Sequence, residues 1–232
     1  MRAQIPGMVL LVVITCAPAL AGNYRDQLIE QYPFYKTATT SFAPVYPALA
    51  QQVVGDYGIT KGICVDMGGG CGSLAMALAR ITDLTVYMLD IDPAAVRLCG
   101  LLVDEAGLRG RVRPIEGDAQ DMPFRDSFAD LVVSRGSIFF WPDQLAGLKE
   151  AYRILKPGGV AYVGGGFSRI LDPKVRDPLV QERKNSLAQG QGEGGGWRLL
   201  DEDLVERAKA AGMDRIRLLR EPEVGWWIEL RK

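Results

Sequence analysis

The chain contains no histidine, which excludes an imidazole base, a histidine metal ligand and a histidine-based triad. Its four cysteines form no CxxC pair, so their spacing indicates neither a zinc site nor a redox motif. The chain also has no excess of positive or negative charge, because its 27 Lys and Arg residues are balanced by 28 Asp and Glu residues. No basic stripe interleaved with aromatic residues occurs. We therefore expect no metal ion and no nucleic-acid partner.

Long apolar runs are also scarce, and the clearest one lies in the N-terminal segment, residues 1–22. One arginine precedes an apolar run from Met8 to Ile14, and Ala19-Leu20-Ala21 is a small-x-small cleavage pattern. This pattern predicts a signal peptide or membrane anchor and a membrane-associated or exported protein. The run is short for a bilayer span. A cytoplasmic protein is the alternative if the start is misassigned or the segment is not cleaved.

From Ile63 onward, short apolar runs alternate with helical patterns, which is typical of βαβ units around a parallel sheet. Asp92, an N-cap residue, and Pro93 begin one of the helices, and Gly107 is placed to end it. Seven strands are predicted, with sequences GICVDM, LTVYML, VRPIE, ADLVVS, VAYVGG, DRIRLLR and VGWWIELRK. The last two form a terminal pair at the edge of the sheet.

Two segments fall outside this alternation. Residues 23–58 are rich in aromatic residues and proline and include a helical stretch, which predicts an N-terminal helical cap. Residues 165–200 contain glycine clusters on both sides of a charged middle, which predicts a lid-like insertion in a domain covering residues 59–232. A disordered insertion is the alternative for residues 165–200.

The stretch VDMGGGCGSLA, residues 65–75, is a strand, a glycine turn and the start of a helix. Such a turn lets a ligand approach the backbone, and an acid about 20 residues later accepts hydrogen bonds from a ribose. Asp90 has that position. The turn fits two fingerprints, the dinucleotide pattern GxGxxA at Gly70, Gly72 and Ala75, and the pattern DxGxGxG at Asp66, Gly68, Gly70 and Gly72. By itself the turn leaves the cofactor undecided.

Four later motifs follow in order, namely YMLDID, EGDAQDMPF, DSFADLVVSRGSIFFWPD and EAYRILKPGGVAYV. Together with DxGxGxG they resemble the motifs of class I S-adenosyl-L-methionine-dependent methyltransferases, over most of the chain from Ile63. The resemblance implies a Rossmann-like, doubly wound α/β fold with a seven-stranded, mostly parallel sheet and a terminal antiparallel strand. It also implies S-adenosyl-L-methionine as cofactor and S-adenosyl-L-homocysteine as product.

The resemblance carries over to particular cofactor-binding residues. Asp90 takes the ribose, Asp118 the adenine amino group and Ala119 the edge of the adenine ring, while Ser134 and Arg135 lie under the methionine end. Asp66 either orients the loop or meets the ammonium group, and exposed N–H groups of the loop suit the methionine carboxylate. The full predicted set is Asp66, Gly68, Gly69, Gly70, Gly72, Asp90, Ile91, Asp118, Ala119, Ser134 and Arg135.

The methyl acceptor is expected to be a small molecule. Tyr35, Phe139, Phe140 and Trp141 are its candidate binding residues, with Tyr32 and Phe34 beside Tyr35 as further candidates from the N-terminal segment. Core packing is the alternative for the three aromatics at 139–141. Arg135 is also a candidate for binding an anionic group of the acceptor. No catalytic residue is identified, because methyl transfer from a sulfonium needs mainly positioning and desolvation.

The predicted function is S-adenosyl-L-methionine-dependent methyl transfer to an unidentified small molecule. Two alternatives stay open at this point: a nicotinamide-dinucleotide-dependent oxidoreductase, and a non-catalytic cofactor-binding or interaction module. The sequence indicates neither the acceptor atom nor the oligomeric state. A membrane association is predicted only through residues 1–22.

Overall fold

A computed structural model describes residues 18–188, 200–221 and 224–232. Helices and strands alternate along these residues, and a 3₁₀ turn, Ile138–Phe140, follows the fourth strand. In chain order the elements are α1 (Pro18–Gln31), α2 (Phe34–Thr39), α3 (Val45–Tyr57), β1 (Lys61–Met67), α4 (Ser73–Ile81), β2 (Asp83–Asp90), α5 (Pro93–Glu105), β3 (Val112–Glu116), β4 (Ala129–Arg135), α6 (Gln144–Ile154), β5 (Leu155–Gly166), α7 (Pro173–Ala188), α8 (Glu202–Ala210), β6 (Ile216–Glu221) and β7 (Gly225–Arg231).

The strands form one seven-stranded sheet in the order β3-β2-β1-β4-β5-β7-β6. Strand β7 runs antiparallel to both of its neighbours, β5 and β6. All the other neighbouring strands pair in parallel, namely β3 with β2, β2 with β1, β1 with β4 and β4 with β5. The predicted Rossmann-like fold is therefore confirmed. One detail differs from the sequence prediction. The predicted strand VAYVGG begins at Val160, whereas β5 begins at Leu155 and so includes Pro157–Gly159, where the register with β4 shifts.

Both faces of the sheet are buried, because successive side chains of a strand point to opposite sides. Cys64 and Leu131 pack with helices α3, α4 and α5 on one face. Val65, Val132 and Val163 pack with α6 and α8 on the other. This double burial explains why the central strands have continuous apolar sequences rather than alternating ones.

Helix α5 begins as its sequence predicts. The Asp92 side chain accepts a hydrogen bond of 2.8 Å from the N–H of Ala94, and Pro93 is the first helical residue. Gly107 follows the helix with a φ of 67°, a left-handed conformation that glycine adopts without a Cβ penalty. Local capping thus fixes where the helix after β2 begins and ends.

The order of the strands positions the site. Strand β1 lies between β2 and β4, and the chain leaves β1 toward β2 and β3 on one side, then returns to β4 and β5 on the other. In open α/β sheets, ligands bind at this reversal, in the crevice beyond the carboxyl ends of the strands. Met67, Asp90 and Arg135 end the three strands concerned.

The predicted membrane-associated or exported location, based on residues 1–22, needs correction. A helix must have about 20 predominantly apolar residues to cross a bilayer. Helix α1 has 14 residues and contains Arg25, Asp26 and Glu30. Among residues 18–188, 200–221 and 224–232, no helix is long and apolar enough to span a membrane. Residues 1–17, which carry most of the predicted signal pattern, lie outside the described residues.

The two segments outside the sheet contain helices. Helices α2 and α3 and most of α1 lie in residues 23–58, the predicted cap. Helix α7 lies in the predicted insertion at 165–200, of which residues 189–199 are outside the described part of the chain. The division of the chain into a cap, a core domain and a lid-like insertion stays a prediction.

Candidate functional site

A cavity of about 650 Å³ opens beyond the carboxyl ends of the strands, within the volume range of small-molecule and cofactor pockets. The predicted site residues fall into two groups with respect to it. Those that line the cavity are Gly68, Asp90, Ile91, Asp118, Ala119, Arg135, Phe139, Phe140 and Trp141. Those that do not are Asp66, Gly69, Gly70, Gly72, Ser134 and Tyr35.

Asp90, the last residue of β2, has the geometry that a ribose requires. One carboxylate oxygen accepts a hydrogen bond from the N–H of Gly70 at 2.8 Å, and the other from the N–H of Asp92 at 3.0 Å. A carboxylate has about four acceptor sites, so about two are left for the two hydroxyls of a ribose. Burial raises the pKa of Asp90, although its hydrogen bonds from Asp92 and Gly70 oppose that shift.

The glycine loop between β1 and α4 is closely packed. Gly68, Gly70 and Gly72 have φ angles of 64°, 57° and 81°, in the left-handed region. A Cβ on Gly68 would overlap the Ser137 side chain, and one on Gly70 would overlap the Tyr32 hydroxyl. Glycine is therefore required at both positions by backbone conformation and by space.

The expected exposed N–H groups of the loop are engaged within the protein. Gly68 and Gly69 both donate to the carbonyl of Leu89, at 2.7 and 3.1 Å. Gly70 donates to Asp90, and Gly72 donates to the carbonyl of Gly69 at 3.0 Å. These four N–H groups are therefore not directed at a ligand carboxylate. What the loop offers instead is a backbone without side chains, which a ligand can approach closely.

Asp66, on β1, is 1% exposed and lies behind the loop. Its carboxylate accepts a hydrogen bond of 3.1 Å from the N–H of Ala75, in the first turn of α4. Burial raises the pKa of Asp66 to about 7. This contact corresponds to the loop-orienting role, one of the two that the sequence left open.

Ser134 is fully buried and does not line the cavity, but its hydroxyl is hydrogen-bonded to that of Ser137, which does. The Ser134 hydroxyl lies 2.7 Å from that of Ser137, which donates to the carbonyl of Met67 at 2.9 Å. Ser134 is therefore the donor to Ser137, which itself lines the cavity. The sequence analysis missed Ser137, although it stands three residues beyond Ser134 in the same SRGS motif.

The turn after β3 carries the residues predicted to hold adenine. The Asp118 carboxylate accepts a hydrogen bond of 2.8 Å from the N–H of Gln120, which shapes the turn. Ala119 is buried against the cavity, while Ile91, after β2, is 68% exposed at its rim. A small, an apolar and an acidic residue thus border the same part of the cavity.

Another part of the cavity lining is aromatic. Phe139 and Trp141 are 5% and 7% exposed and belong to the core, and both also line the cavity. Phe140 is 48% exposed, and its ring centroid lies 6.2 Å from that of Phe34. Tyr35 lies elsewhere, and its hydroxyl accepts a hydrogen bond of 3.1 Å from Arg25.

Several lining residues carry no sequence motif. Tyr32 and Phe34 line the cavity, as considered from the sequence. Further lining residues that the sequence analysis did not name come from the cap, from the end of β5 and from α7, among them Phe42, Tyr46, Phe167, Leu179, Glu182 and Arg183. Only the packing of distant segments brings them together, so no local pattern could have identified them.

Metal and thiol chemistry receive no support from the described part of the chain. Residues 18–188, 200–221 and 224–232 contain no cluster of three potential metal ligands. Cys64 and Cys99 are fully buried, and burial raises the pKa of both thiols. Cys71, in the glycine loop, is buried too.

Comparison with known proteins identifies a matching family model and several relatives. A family model described as a methyltransferase domain matches residues 65–163. The uncharacterized methyltransferase YdaC of Bacillus subtilis is 34% identical over 139 residues, which cover 59% of this chain and 71% of YdaC. A solved structure of a Methanococcus maripaludis protein, assigned as an S-adenosyl-L-methionine-dependent methyltransferase, superposes with a TM-score of 0.75 at 32% identity, covering 90% of this chain and 93% of that one.

A further relative is the 2-methyl-6-phytyl-1,4-hydroquinone methyltransferase 2, chloroplastic, of rice, Oryza sativa. It is 41% identical over 102 residues, which cover 44% of this chain. The match spans only 28% of the rice protein, so it includes less than a third of that relative's length.

Proposed function

The chain belongs to the class I S-adenosyl-L-methionine-dependent methyltransferases, and from that premise we propose that it transfers a methyl group to an apolar small molecule. One observation carries the proposal. Asp90 stands beside the sheet reversal, lines the cavity, and has about two acceptor sites beyond the backbone N–H groups of Gly70 and Asp92. A nucleoside ribose supplies the two hydroxyl donors that such a carboxylate needs.

The cofactor-binding half of the proposal uses the strand ends. Asp90 holds the ribose, Asp118 and Ala119 hold the adenine, and Ile91 covers it from the rim. Gly68 allows the close approach of the methionine portion. Five further predicted residues, Asp66, Gly69, Gly70, Gly72 and Ser134, support the loop and its neighbour Ser137, and Arg135 lines the cavity at the end of β4. When bound, S-adenosyl-L-methionine supplies a methyl group already activated by the sulfonium.

The protein contributes positioning and exclusion of water. Phe139 and Trp141, which are buried, form a rigid wall, and Phe34 and Phe140 meet across the rim. A methyl donor and acceptor held in line in such surroundings react without a large entropic or solvation cost. No residue is assigned here as a general base, and catalysis needs one only if the acceptor atom must lose a proton.

The proposed acceptor is apolar because the lining of this half is mostly aromatic and aliphatic. The rice relative is named for a phytyl hydroquinone, an aromatic acceptor with a long apolar chain. The proposal also keeps the predicted cap and insertion: α2 and α7 contribute Phe34 and Leu179 to the cavity and would cover the acceptor.

The test is calorimetric titration of the full chain with S-adenosyl-L-homocysteine and, separately, with NAD. We expect binding of the first and none of the second. Asp90→Asn should weaken binding of the first about 10-fold or more, because a hydrogen bond to a charged group contributes about 1.5–3 kcal/mol. Asp83→Asn, the same exchange at the exposed, opposite end of β2, is the matched control and should bind like wild type.

Turnover is measured next, as label transferred from methyl-labelled S-adenosyl-L-methionine to a panel of apolar phenols, hydroquinones and acids. Binding of S-adenosyl-L-homocysteine with no transfer to any of them would favour a non-catalytic cofactor-binding module. Binding of NAD in its place would favour the oxidoreductase alternative, for which none of the relatives described above gives support.

A further inference from the structure

Arg135, on the proposed acceptor side of the cavity, contacts Gly166, Phe42 and Tyr46. It ends β4, and its Nε donates a hydrogen bond of 3.1 Å to the carbonyl of Gly166, at the end of β5. Its guanidinium carbon lies 4.5 Å from the ring centroid of Phe42 and 5.3 Å from that of Tyr46. Cation–π contacts of this kind fix the direction of the charged group.

Arg183, on α7, lines the same cavity as Arg135. Leu179, four residues earlier and therefore on the same face of α7, packs in one cluster with Phe42, on whose ring Arg135 lies. Burial and the positive charge of Arg135 both lower the pKa of Arg183. An anion placed between two such cations is attracted by both. Two guanidinium groups also supply several N–H donors in the planar arrangement that carboxylates and phosphates accept.

The acidic residues of the cavity lie mainly elsewhere. Asp90 is the last residue of β2 and Arg135 is the last residue of β4, and β1 separates the two strands. Two strand spacings amount to about 10 Å, so the arginine side is distinct from the proposed ribose position. Glu182 also borders the cavity, but it is exposed and adjacent in sequence to Arg183, and neighbouring residues of a helix do not face each other.

The surroundings of the two arginines are apolar. Phe42, Phe139, Phe167 and Leu179 line this side of the cavity. A charged hydrogen bond is stronger in such surroundings than in water. A ligand that fits them has an apolar body and one anionic group.

We propose that the methyl acceptor carries a carboxylate or phosphate on an apolar body, and that Arg183, together with Arg135, binds this oxyanion. The inference rests on the proposed function, because it assigns the acceptor side of the same site. A competing assignment is that the arginines bind the α-carboxylate of the cofactor itself. Loading the protein with S-adenosyl-L-homocysteine, which has that carboxylate, separates the two assignments.

The experiment is calorimetry on the full chain saturated with S-adenosyl-L-homocysteine. The probes are 3-phenylpropionate, phenyl phosphate and the neutral 3-phenylpropanamide, which matches the first probe in shape. We expect the carboxylate to bind at least 10-fold more tightly than the amide, since hydrogen bonds to charged groups contribute more than neutral ones. Comparison of the two anionic probes distinguishes a carboxylate site from a phosphate site.

The variants isolate the role of Arg183. Arg183→Gln should weaken carboxylate binding about 10-fold or more, leave amide binding within about threefold, and leave the affinity for S-adenosyl-L-homocysteine unchanged. Arg183→Lys should keep most of the preference for the anionic probes, because it keeps the charge. Lys184→Gln is the matched control, because it removes the same charge from an exposed neighbour outside the cavity lining.

Several results would overturn the inference. Equal binding of carboxylate and amide, or no binding of any probe to the loaded protein, removes the preference for an anion. Equal weakening of both probes by Arg183→Gln indicates a structural role, and a 10-fold loss of S-adenosyl-L-homocysteine affinity assigns the arginine to the cofactor. If wild type fails to bind S-adenosyl-L-homocysteine, the proposed function fails and this inference fails with it.

Discussion

The two halves of the cavity are built in different ways. The half proposed for the nucleoside uses residues at the ends of β2 and β3 and in the turn after β1, each within a recognisable local motif. The half proposed for the acceptor combines the cap, the end of β5 and α7 with the segment after β4. A cofactor shared by a family keeps its contacts on the sheet, whereas the acceptor is met by segments that can vary without disturbing the sheet.

The largest effect is expected in the acceptor half, where one wall is also core. Trp141→Ala should lower the free energy of unfolding by about 3–5 kcal/mol, because the buried ring packs against Gly147 and leaves a cavity. Phe140→Ala, at a position that is 48% exposed, should change it by about 0.5 kcal/mol or less and weaken acceptor binding. Urea titration of both variants measures the difference, and equal destabilisation would contradict the distinction.

A somewhat smaller loss is expected in the cofactor half. Gly70→Ala should lower the free energy of unfolding by about 2–4 kcal/mol, because the residue has a φ of 57° and its new Cβ would overlap the Tyr32 hydroxyl. Affinity for S-adenosyl-L-homocysteine should fall as well. Gly107→Ala is the control. Its φ is 67°, but a Cβ on Gly107 would meet no atom within 4 Å, so we expect the free energy of unfolding to fall only by the backbone cost of about 1–2 kcal/mol.

A double-mutant cycle then isolates the contact from the backbone strain. Tyr32→Phe removes the hydroxyl that a Cβ on Gly70 would meet. We expect Gly70→Ala to be less destabilising in the Tyr32→Phe background than in wild type. If the two losses of stability are strictly additive, the Tyr32 hydroxyl and the Gly70 position are not energetically coupled, and the cap does not constrain the glycine loop through this contact.

The next effect depends on pH and concerns Asp66. A buried carboxyl whose pKa is raised to about 7 binds more protons in the folded than in the unfolded state between about pH 4 and 7. Its contribution to stability is therefore fully present below about pH 4 and is lost as the pH rises through 7. The loss is at most about 1.4 kcal/mol per pH unit.

Asp66→Asn provides the measurement, because other titrating groups cancel in the difference from wild type. We expect the variant to gain stability relative to wild type from pH 4 to 7 and to stay level above. Its affinity for S-adenosyl-L-homocysteine should remain within about threefold, since Asn still accepts from the N–H of Ala75. Parallel stability curves contradict the raised pKa, and a 10-fold loss of affinity favours contact with the ammonium group.

The sequence predicted the sheet, and it named residues for the proposed cofactor half, because both depend on local patterns. Strands buried on two faces have continuous apolar runs, and Asp92-Pro93 shows where α5 begins. The sequence did not show that the N–H groups of Gly68, Gly69 and Gly70 are engaged within the protein, because their acceptors, Leu89 and Asp90, lie on another strand. Arg183 had no pattern at all, since its place at the cavity depends on how α7 packs.

The smallest effect compares a residue that the sequence named with one that it missed. Ser134→Ala removes one buried hydrogen bond, from the Ser134 hydroxyl to Ser137, and should cost about 1 kcal/mol of stability with little change in cofactor affinity. Ser137→Ala leaves the carbonyl of Met67 and the Ser134 hydroxyl without this partner, and it alters the cavity wall beside Gly68. We therefore expect a larger stability loss and about fivefold weaker binding of S-adenosyl-L-homocysteine. If Ser134→Ala weakens binding more than Ser137→Ala, the end of β4 itself contacts the cofactor, and the prediction of Ser134 from the sequence is correct.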